Sequence, residues 1–123
     1  MMAEPSTSRS ASTLEENMSK TLAEFLILYI LSEKECYIGE VATLLEQRSN
    51  GIIRLDSTYF YITRAYKAGY IVESGKLTAP DGRRRQYYRI TDAGRSYLKE
   101  LQQAYDRVSA SVTNILQNRG YES

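Results

Sequence analysis

The stretch TAPDGRRRQYYRIT, residues 78–91, decides the fold, because it joins a turn signal to a strand. In the Pro-Asp-Gly turn at 80–82, proline sets the backbone angle φ, aspartate can bond its own backbone, and glycine tolerates positive φ. Residues 70–74 lead into a strand before the turn, and residues 83–90 return as its partner. The sequence therefore predicts a β-hairpin that carries three consecutive arginines near its tip.

Positive charge is concentrated in this hairpin, although the whole chain has a formal net charge of only +1. Residues 76–89 hold five cations and one anion, so this segment carries +4 and the rest of the chain −3. A basic patch on a mildly acidic body predicts an anionic partner better than the total charge does. The cations are Lys76, Arg83, Arg84, Arg85 and Arg89, and the anion is Asp81.

The composition fits one domain and excludes several classes of protein. The chain has 123 residues, of which 42% are hydrophobic, enough to form a core. It has no histidine, and Cys36 therefore lacks the usual activating partner, so we expect no catalytic residue, no metal site and no cofactor. The longest apolar run, residues 25–31, is too short to span a membrane, and no leader is recognisable. We expect a cytoplasmic protein that is not an enzyme.

The first helix is predicted to follow a disordered tail at residues 1–12, which are rich in serine, threonine and alanine. Thr13 and Glu16 fit a capping box, and the helix ends near Lys34. This helix is apolar nearly all round, which predicts burial on several sides, in the centre of the domain or against a second subunit.

A second helix is predicted from about Tyr37 or Ile38 to Arg48, where apolar residues recur at helical spacing. Gly51 closes it, because glycine adopts the left-handed conformation that ends helices. The β-branched segment at residues 52–55 is then predicted to be a short strand.

The third helix is predicted to start at Asp56 or Ser57, both good caps, and to end at Gly69. Its spacing indicates one face towards the core and one towards solvent. The predicted inward residues are Tyr59, Ile62, Ala65 and Tyr66, and the predicted outward residues are Ser57, Thr58, Tyr61, Arg64 and Lys67.

A long last helix is predicted from its caps Thr91 and Asp92 to about Gln117, with a short tail at 118–123. Its apolar residues are spaced 3, 4, 3, 4 and 3 apart, the pattern of a coiled-coil seam. A small body offers few partners for such a seam, so we predict a dimer interface; the alternative is a helix folded back on its own domain. The seam residues are Leu98, Leu101, Tyr105, Val108, Val112 and Ile115.

The element order, and two motifs within it, resemble the PadR family of bacterial transcription regulators. The motifs are STYFYITRAYKAGYIV in the third helix and RRRQYYRITDAGRSYL in the hairpin. The resemblance covers residues 22–101, and Tyr59, Ile62, Gly69 and Ile71 fall on the family's Tyr, Leu, Gly and Ile. The chain departs from the family pattern at residues 35–39, where many members have His-Gly-Tyr, at Phe60, where many have proline, and at Ala65 and Tyr66.

This resemblance, to the small subclass of the family, implies a mainly α fold with a small β-hairpin, an α+β class. A winged helix-turn-helix domain would occupy residues 13–91, and a dimerisation helix residues 92–117. The implied function is a sequence-specific DNA-binding regulator, a ligand-responsive repressor that acts as a homodimer on a palindromic operator.

We expect the third helix to enter the major groove of double-stranded DNA and the hairpin, the wing, to follow the backbone or minor groove. Arg64 could read guanine or hold a phosphate. The wing arginines suit phosphates or a narrow minor groove, although they could simply protect an edge strand from aggregation. Strand alternation separates Tyr87 from Tyr88, and the family pattern implies a contact at Tyr37. The candidate DNA-binding residues are Tyr37, Ser57, Thr58, Tyr61, Arg64, Lys67, Arg83, Arg84, Arg85 and Tyr87.

Tyrosine is abundant, with 11 residues, and the resemblance implies a small aromatic effector at the dimer interface. Tyr29, Tyr97 and Tyr105 are the candidates for its pocket; they could equally be core and seam residues. Two other functions stay open from the sequence: a winged-helix module that docks an acidic protein, and a regulator of the MarR type.

Overall fold

The computed structural model describes residues 10–118, and in that range it confirms the predicted α+β class. The fold consists of four helices and a small antiparallel sheet of three strands. Within the same range, no helix is both long enough and apolar enough to cross a membrane. The elements in chain order are α1 (Ala11–Glu33), β1 (Cys36–Tyr37), α2 (Ile38–Arg48), α3 (Thr58–Lys67), β2 (Ile71–Thr78), β3 (Arg84–Ile90) and α4 (Asp92–Gln117).

The predicted tails at 1–12 and 118–123 lie mostly outside the described residues. Helix α1 begins at Ala11, earlier than the predicted capping box at Thr13. Ser10 has the extended backbone of an N-cap, and its carbonyl accepts a hydrogen bond of 3.0 Å from the Thr13 amide. The prediction of a cap at Thr13 is therefore wrong, because Thr13 already lies within the first turn.

Helix α1 forms the centre of the domain, as its all-round apolar sequence predicted. It packs against α2, α3, β3 and α4. Ile27 and Leu28 of α1 are almost fully buried, together with Val41 of α2, Ile62 of α3 and Ile71 of β2. Each such side chain contributes roughly 1.5–3 kcal/mol when it is removed from water. The core thus fixes α3 and the hairpin on one scaffold.

The sheet has the order β1-β3-β2, and its third strand does not lie where the sequence predicted it. Residues 52–55 form no strand; the short β1 instead pairs Cys36 with Tyr88 and Tyr37 with Tyr87. The Ser49 hydroxyl accepts from the Ile53 amide at 2.8 Å, which holds this segment in the turn after α2. A β-branched segment becomes a strand only where an edge is free to pair with it, and here the turn takes up its backbone groups.

Helix α4 is fixed to the end of α3 through Thr91. The Thr91 hydroxyl donates to the Gly69 carbonyl at 2.7 Å and accepts from the Gly94 amide at 3.0 Å, and the Thr91 amide donates to the Tyr70 carbonyl. Gly94 packs so closely on this turn that a Cβ atom would overlap the Tyr70 carbonyl oxygen and the Ile90 side chain. The first turn of α4 is therefore joined to the residues that connect α3 to β2.

Candidate nucleic-acid interface

Helix α3 turns a different face to the core from the one predicted. Its buried residues are Thr58, Ile62 and Ala65, which are spaced four and three apart. Thr58, predicted to point outward, is 7% exposed, whereas Tyr59 and Tyr66, predicted to point inward, are 67% and 45% exposed. Threonine and alanine are short enough to let α3 approach the core, and the tyrosines keep their hydroxyls in water.

The outer face of α3 combines aromatic rings with cations. Ser57, Arg64 and Lys67 are exposed, as predicted, whereas Tyr61 is half buried against the core. Phe60 is 50% exposed and lies under the Arg64 guanidinium, 5.4 Å from its carbon to the ring centroid. Sequence reasoning missed Tyr59 and Phe60 as surface residues; for Phe60 the signal was its position four residues, or one helical turn, before Arg64.

The hairpin tip is built as its sequence predicted. The Asp81 carboxylate accepts from the Arg83 amide at 3.0 Å, and Gly82 has a φ of +85°. The amide of Ala79 donates to the carbonyl of Arg83 at 2.8 Å and closes the turn. A carboxylate bonded to the backbone two residues on is the expected role of aspartate in such turns.

The three wing arginines do not form one cluster, because successive side chains of a strand point to opposite faces of the sheet. Arg83 is exposed, and Arg84 donates to the Lys76 carbonyl at 3.1 Å. Arg85 donates to the Asp81 carboxylate at 2.6 Å and stacks on the Tyr37 ring, 5.2 Å from its centroid. The Arg85 hydrogen bond holds the pKa of Asp81 below its usual value, so this carboxylate stays charged and keeps Arg85 oriented.

The two tyrosines of the wing point to opposite faces of the sheet. Tyr88 lies against the core and makes an edge contact of 6.5 Å with Tyr66 of α3. Tyr87 lies on the other face, with an edge contact of 5.5 Å to Tyr37. Partial burial raises the pKa of the Tyr87 hydroxyl.

A cleft of about 270 Å³ lies between the wing and the first turn of α2. Arg85 and Tyr37 meet here, and the first residues of α2, Ile38 and Gly39, line the same cleft. The Arg85 Nε atom is buried and has no hydrogen-bond partner among residues 10–118. Helix N-termini and guanidinium groups both favour anions, so this cleft suits a phosphate. It is lined by Tyr37, Ile38, Gly39, Arg84, Arg85 and Gln86.

The structure brings together two subsets of the predicted DNA-binding residues. One subset, on α3, contains Ser57, Arg64 and Lys67, and the other, at the wing cleft, contains Tyr37 and Arg85. The Tyr66–Tyr88 contact joins α3 to β3, although neither residue belongs to a subset, and within residues 10–118 no hydrogen bond or ion pair links an α3 cation to the wing.

The three tyrosines predicted to line an effector pocket have different neighbours within residues 10–118. Tyr29 lines an apolar groove of about 240 Å³ between α1 and α2. Tyr97 instead donates to the Glu24 carboxylate at 3.0 Å and stacks on Tyr70, whereas Tyr105 contacts Phe25.

The predicted seam of α4 divides into two parts. Leu98 and Leu101 are half buried against the core of their own domain. Beyond them, Val108, Val112 and Ile115 are exposed, with Ile115 75% exposed. The first part packs on its own domain, whereas the second is an apolar stripe without a partner in the described chain, and the dimer interface stays a prediction.

A helix-turn-helix followed by a hairpin beside its last helix defines the winged helix-turn-helix proteins, which place that helix in the major groove of DNA. The model of the transcriptional regulator PadR-like family matches residues 27–100. The chain belongs to this family, whose members are DNA-binding transcription regulators rather than enzymes. The resemblance drawn from the sequence is confirmed, and the MarR-like alternative is set aside.

Solved structures agree with this assignment. A PadR-like transcriptional regulator from Bacillus cereus is 35% identical, with a TM-score of 0.71, over 83% of this chain and 98% of that one. A protein from Streptococcus mutans is 28% identical, with a TM-score of 0.67, over 83% of this chain and 92% of that one. A PadR family regulator from Eggerthella lenta, at 20% identity and a TM-score of 0.74 over 89% and 94%, shares the fold.

Proposed function

We propose that this PadR-like regulator is a repressor that binds a palindromic operator as a twofold dimer and releases it when a small aromatic effector binds. The observation that carries the proposal is the cationic cleft at the wing, on the same scaffold as an exposed, basic α3. Repression needs no interaction beyond occupation of a promoter. A twofold dimer would place its two α3 helices about one turn of DNA apart, which requires an operator with matching symmetry.

The wing cleft would hold the DNA backbone. A phosphate oxygen there would accept from the outer N–H groups of the Arg85 guanidinium, whose side chain is 35% exposed, and the N-terminus of α2 would add a favourable dipole. Asp81 and Tyr37 hold the Arg85 side chain in place, so little side-chain freedom is lost on binding. Arg83 and Arg84 would approach the backbone from the tip and from the other face of the hairpin.

We expect the triple variant R83A/R84A/R85A to bind operator and random DNA roughly 10- to 100-fold more weakly, because the three guanidinium groups would bind phosphates, which carry no sequence information. The slope of log affinity against log salt should become shallower by roughly 0.9 for each phosphate that is no longer neutralised. Fluorescence anisotropy at several salt concentrations measures both quantities.

The matched control is Arg95→Ala, which removes an exposed cation from α4 and should leave the salt slope unchanged. An unchanged affinity and slope in the triple variant would remove the wing from the interface. If the wild-type chain bound neither operator nor random DNA, the alternative of a wing that docks an acidic protein would replace the proposal.

The groove beside Tyr29 is our proposed effector site. Its floor consists of aliphatic residues from α1 and α2, and the Tyr29 hydroxyl at the rim suits an aromatic ligand with one polar group. Benzoate- and phenol-type compounds that release the operator from the wild type should fail to release it from Tyr29→Ala, measured by anisotropy. Glu100→Ala, which changes an exposed residue of α4 outside the groove, should respond as the wild type does; an equal response from Tyr29→Ala would contradict this site.

A further inference from the structure

Phe60 is a large apolar side chain that α3 leaves half exposed on its outer face. It lies outside the buried core, so the hydrophobic effect within the domain does not account for it. The ring is nevertheless held on both sides. Tyr61 meets it edge-on at 5.2 Å and 80°, and Arg64, one turn further along the helix, covers its face at 5.4 Å.

These contacts form a continuous path from the core to an exposed cation. Tyr61 is packed against the core cluster and is half buried. Its ring fixes the Phe60 ring in a perpendicular arrangement, and Phe60 in turn supports the Arg64 guanidinium. A long flexible arginine is thereby restricted in its rotamers before any ligand arrives, which lowers the entropy lost on binding.

The guanidinium of Arg64 also has no ion-pair partner within residues 10–118. The ion pairs within residues 10–118 are Lys34–Glu40, Arg48–Glu33 and Arg85–Asp81, and none includes Arg64. Stacking on an aromatic face leaves the planar edge of the guanidinium, with its N–H donors, pointing away from the ring. Arg64 thus differs from Arg85, whose carboxylate partner occupies one of its donors.

We propose that Phe60 is a positioning residue for base recognition, which holds Arg64 so that its paired donors meet one guanine in each half-site. Guanine presents two adjacent acceptors, O6 and N7, in the major groove, and a bidentate arginine is their usual partner. This inference rests on the proposed function, because it requires α3 to lie in the major groove. It assigns Arg64 to a base rather than to a phosphate.

The test is selection of binding sites from a randomised duplex library by the wild type, Phe60→Leu, Phe60→Tyr and Arg64→Lys. We expect Phe60→Leu and Arg64→Lys to lose the preference for G·C at the same base pair, with discrimination there falling about tenfold. Phe60→Tyr keeps a ring under Arg64 and should retain the preference. The salt slope of Phe60→Leu should stay that of the wild type, because the substitution removes no cation from the interface.

The wing variant Arg84→Ala is the matched control: it should weaken all sequences equally and leave the selected motif intact. Because Phe60 is outside the core, thermal unfolding of Phe60→Leu should coincide with that of the wild type. The inference would be overturned if Phe60→Leu kept the wild-type preference for G·C, or if Phe60→Tyr lost it as fully as Phe60→Leu. Neither result would affect the proposed function. If the wild type selected no motif at all, both would be overturned.

Discussion

Replacement of Gly94 by alanine is expected to destabilise the protein by about 3 kcal/mol, at the upper end of the cost of overpacking a core site. The added Cβ would overlap the Tyr70 carbonyl oxygen and the Ile90 side chain. The carbonyl cannot rotate away, because it accepts the Thr91 amide at 3.0 Å. For a domain of this size, the loss corresponds to a fall of roughly 15 °C in Tm, which calorimetry or circular dichroism measures.

Gly39→Ala is the matched control for this prediction. At Gly39 an added Cβ would meet the Tyr37 ring at 3.1 Å, and a side-chain ring can shift where a carbonyl cannot. We expect a change in Tm of a few degrees at most for Gly39→Ala. A similarly small change for Gly94→Ala would contradict the close packing of α4 on the turn that follows α3.

The double variant V112E/I115E is expected to abolish dimerisation, with a dissociation constant raised more than 100-fold. Both side chains lie on the exposed stripe of α4, and twofold symmetry would bring four new carboxylates into one apolar interface. Burial of an unpaired charge costs several kcal/mol, whereas removal of the apolar side chains costs roughly 1.5–3 kcal/mol each. Sedimentation velocity measures the change, and operator affinity at nanomolar protein should fall with it.

A suitable control is A110E/N114E, which adds the same charge to the same segment but on the opposite face of the helix. This variant should remain dimeric. If V112E/I115E also sedimented as a dimer, the interface would lie elsewhere, and the exposed stripe of α4 would need another explanation.

The sequence predicted the elements that depend on local chemistry. The Pro-Asp-Gly turn, the two strands of the hairpin and the span of α4 were correct, because a turn signal and a threonine cap act within a few residues of themselves. Family membership followed from motifs in the same region. The exposure of Arg64 on α3 was also predicted correctly, since an arginine without an acidic partner is rarely buried.

The errors occur where long-range contacts override local preference. The burial of Thr58 in place of Tyr59 depends on how closely α3 approaches the core, which helical periodicity does not specify. The supposed strand at 52–55 needed a free sheet edge, and the pairing edge of β3 was taken by Cys36 and Tyr37. Strand alternation implied that Arg84 and Arg85 lie on opposite faces of the hairpin. It did not predict their partners, which are the Lys76 carbonyl for Arg84 and the Asp81 carboxylate for Arg85.

The hydrogen bonds of Thr91 have a mechanical consequence for regulation. They link the start of α4 to the residues that follow α3, so the long helix α4 is attached directly to the helix that would enter DNA. In a dimer of such molecules, any tilt of one α4 helix against the other would change the distance between the two α3 helices. A signal that altered the angle between the paired helices could therefore govern operator occupancy without touching the DNA-facing surface.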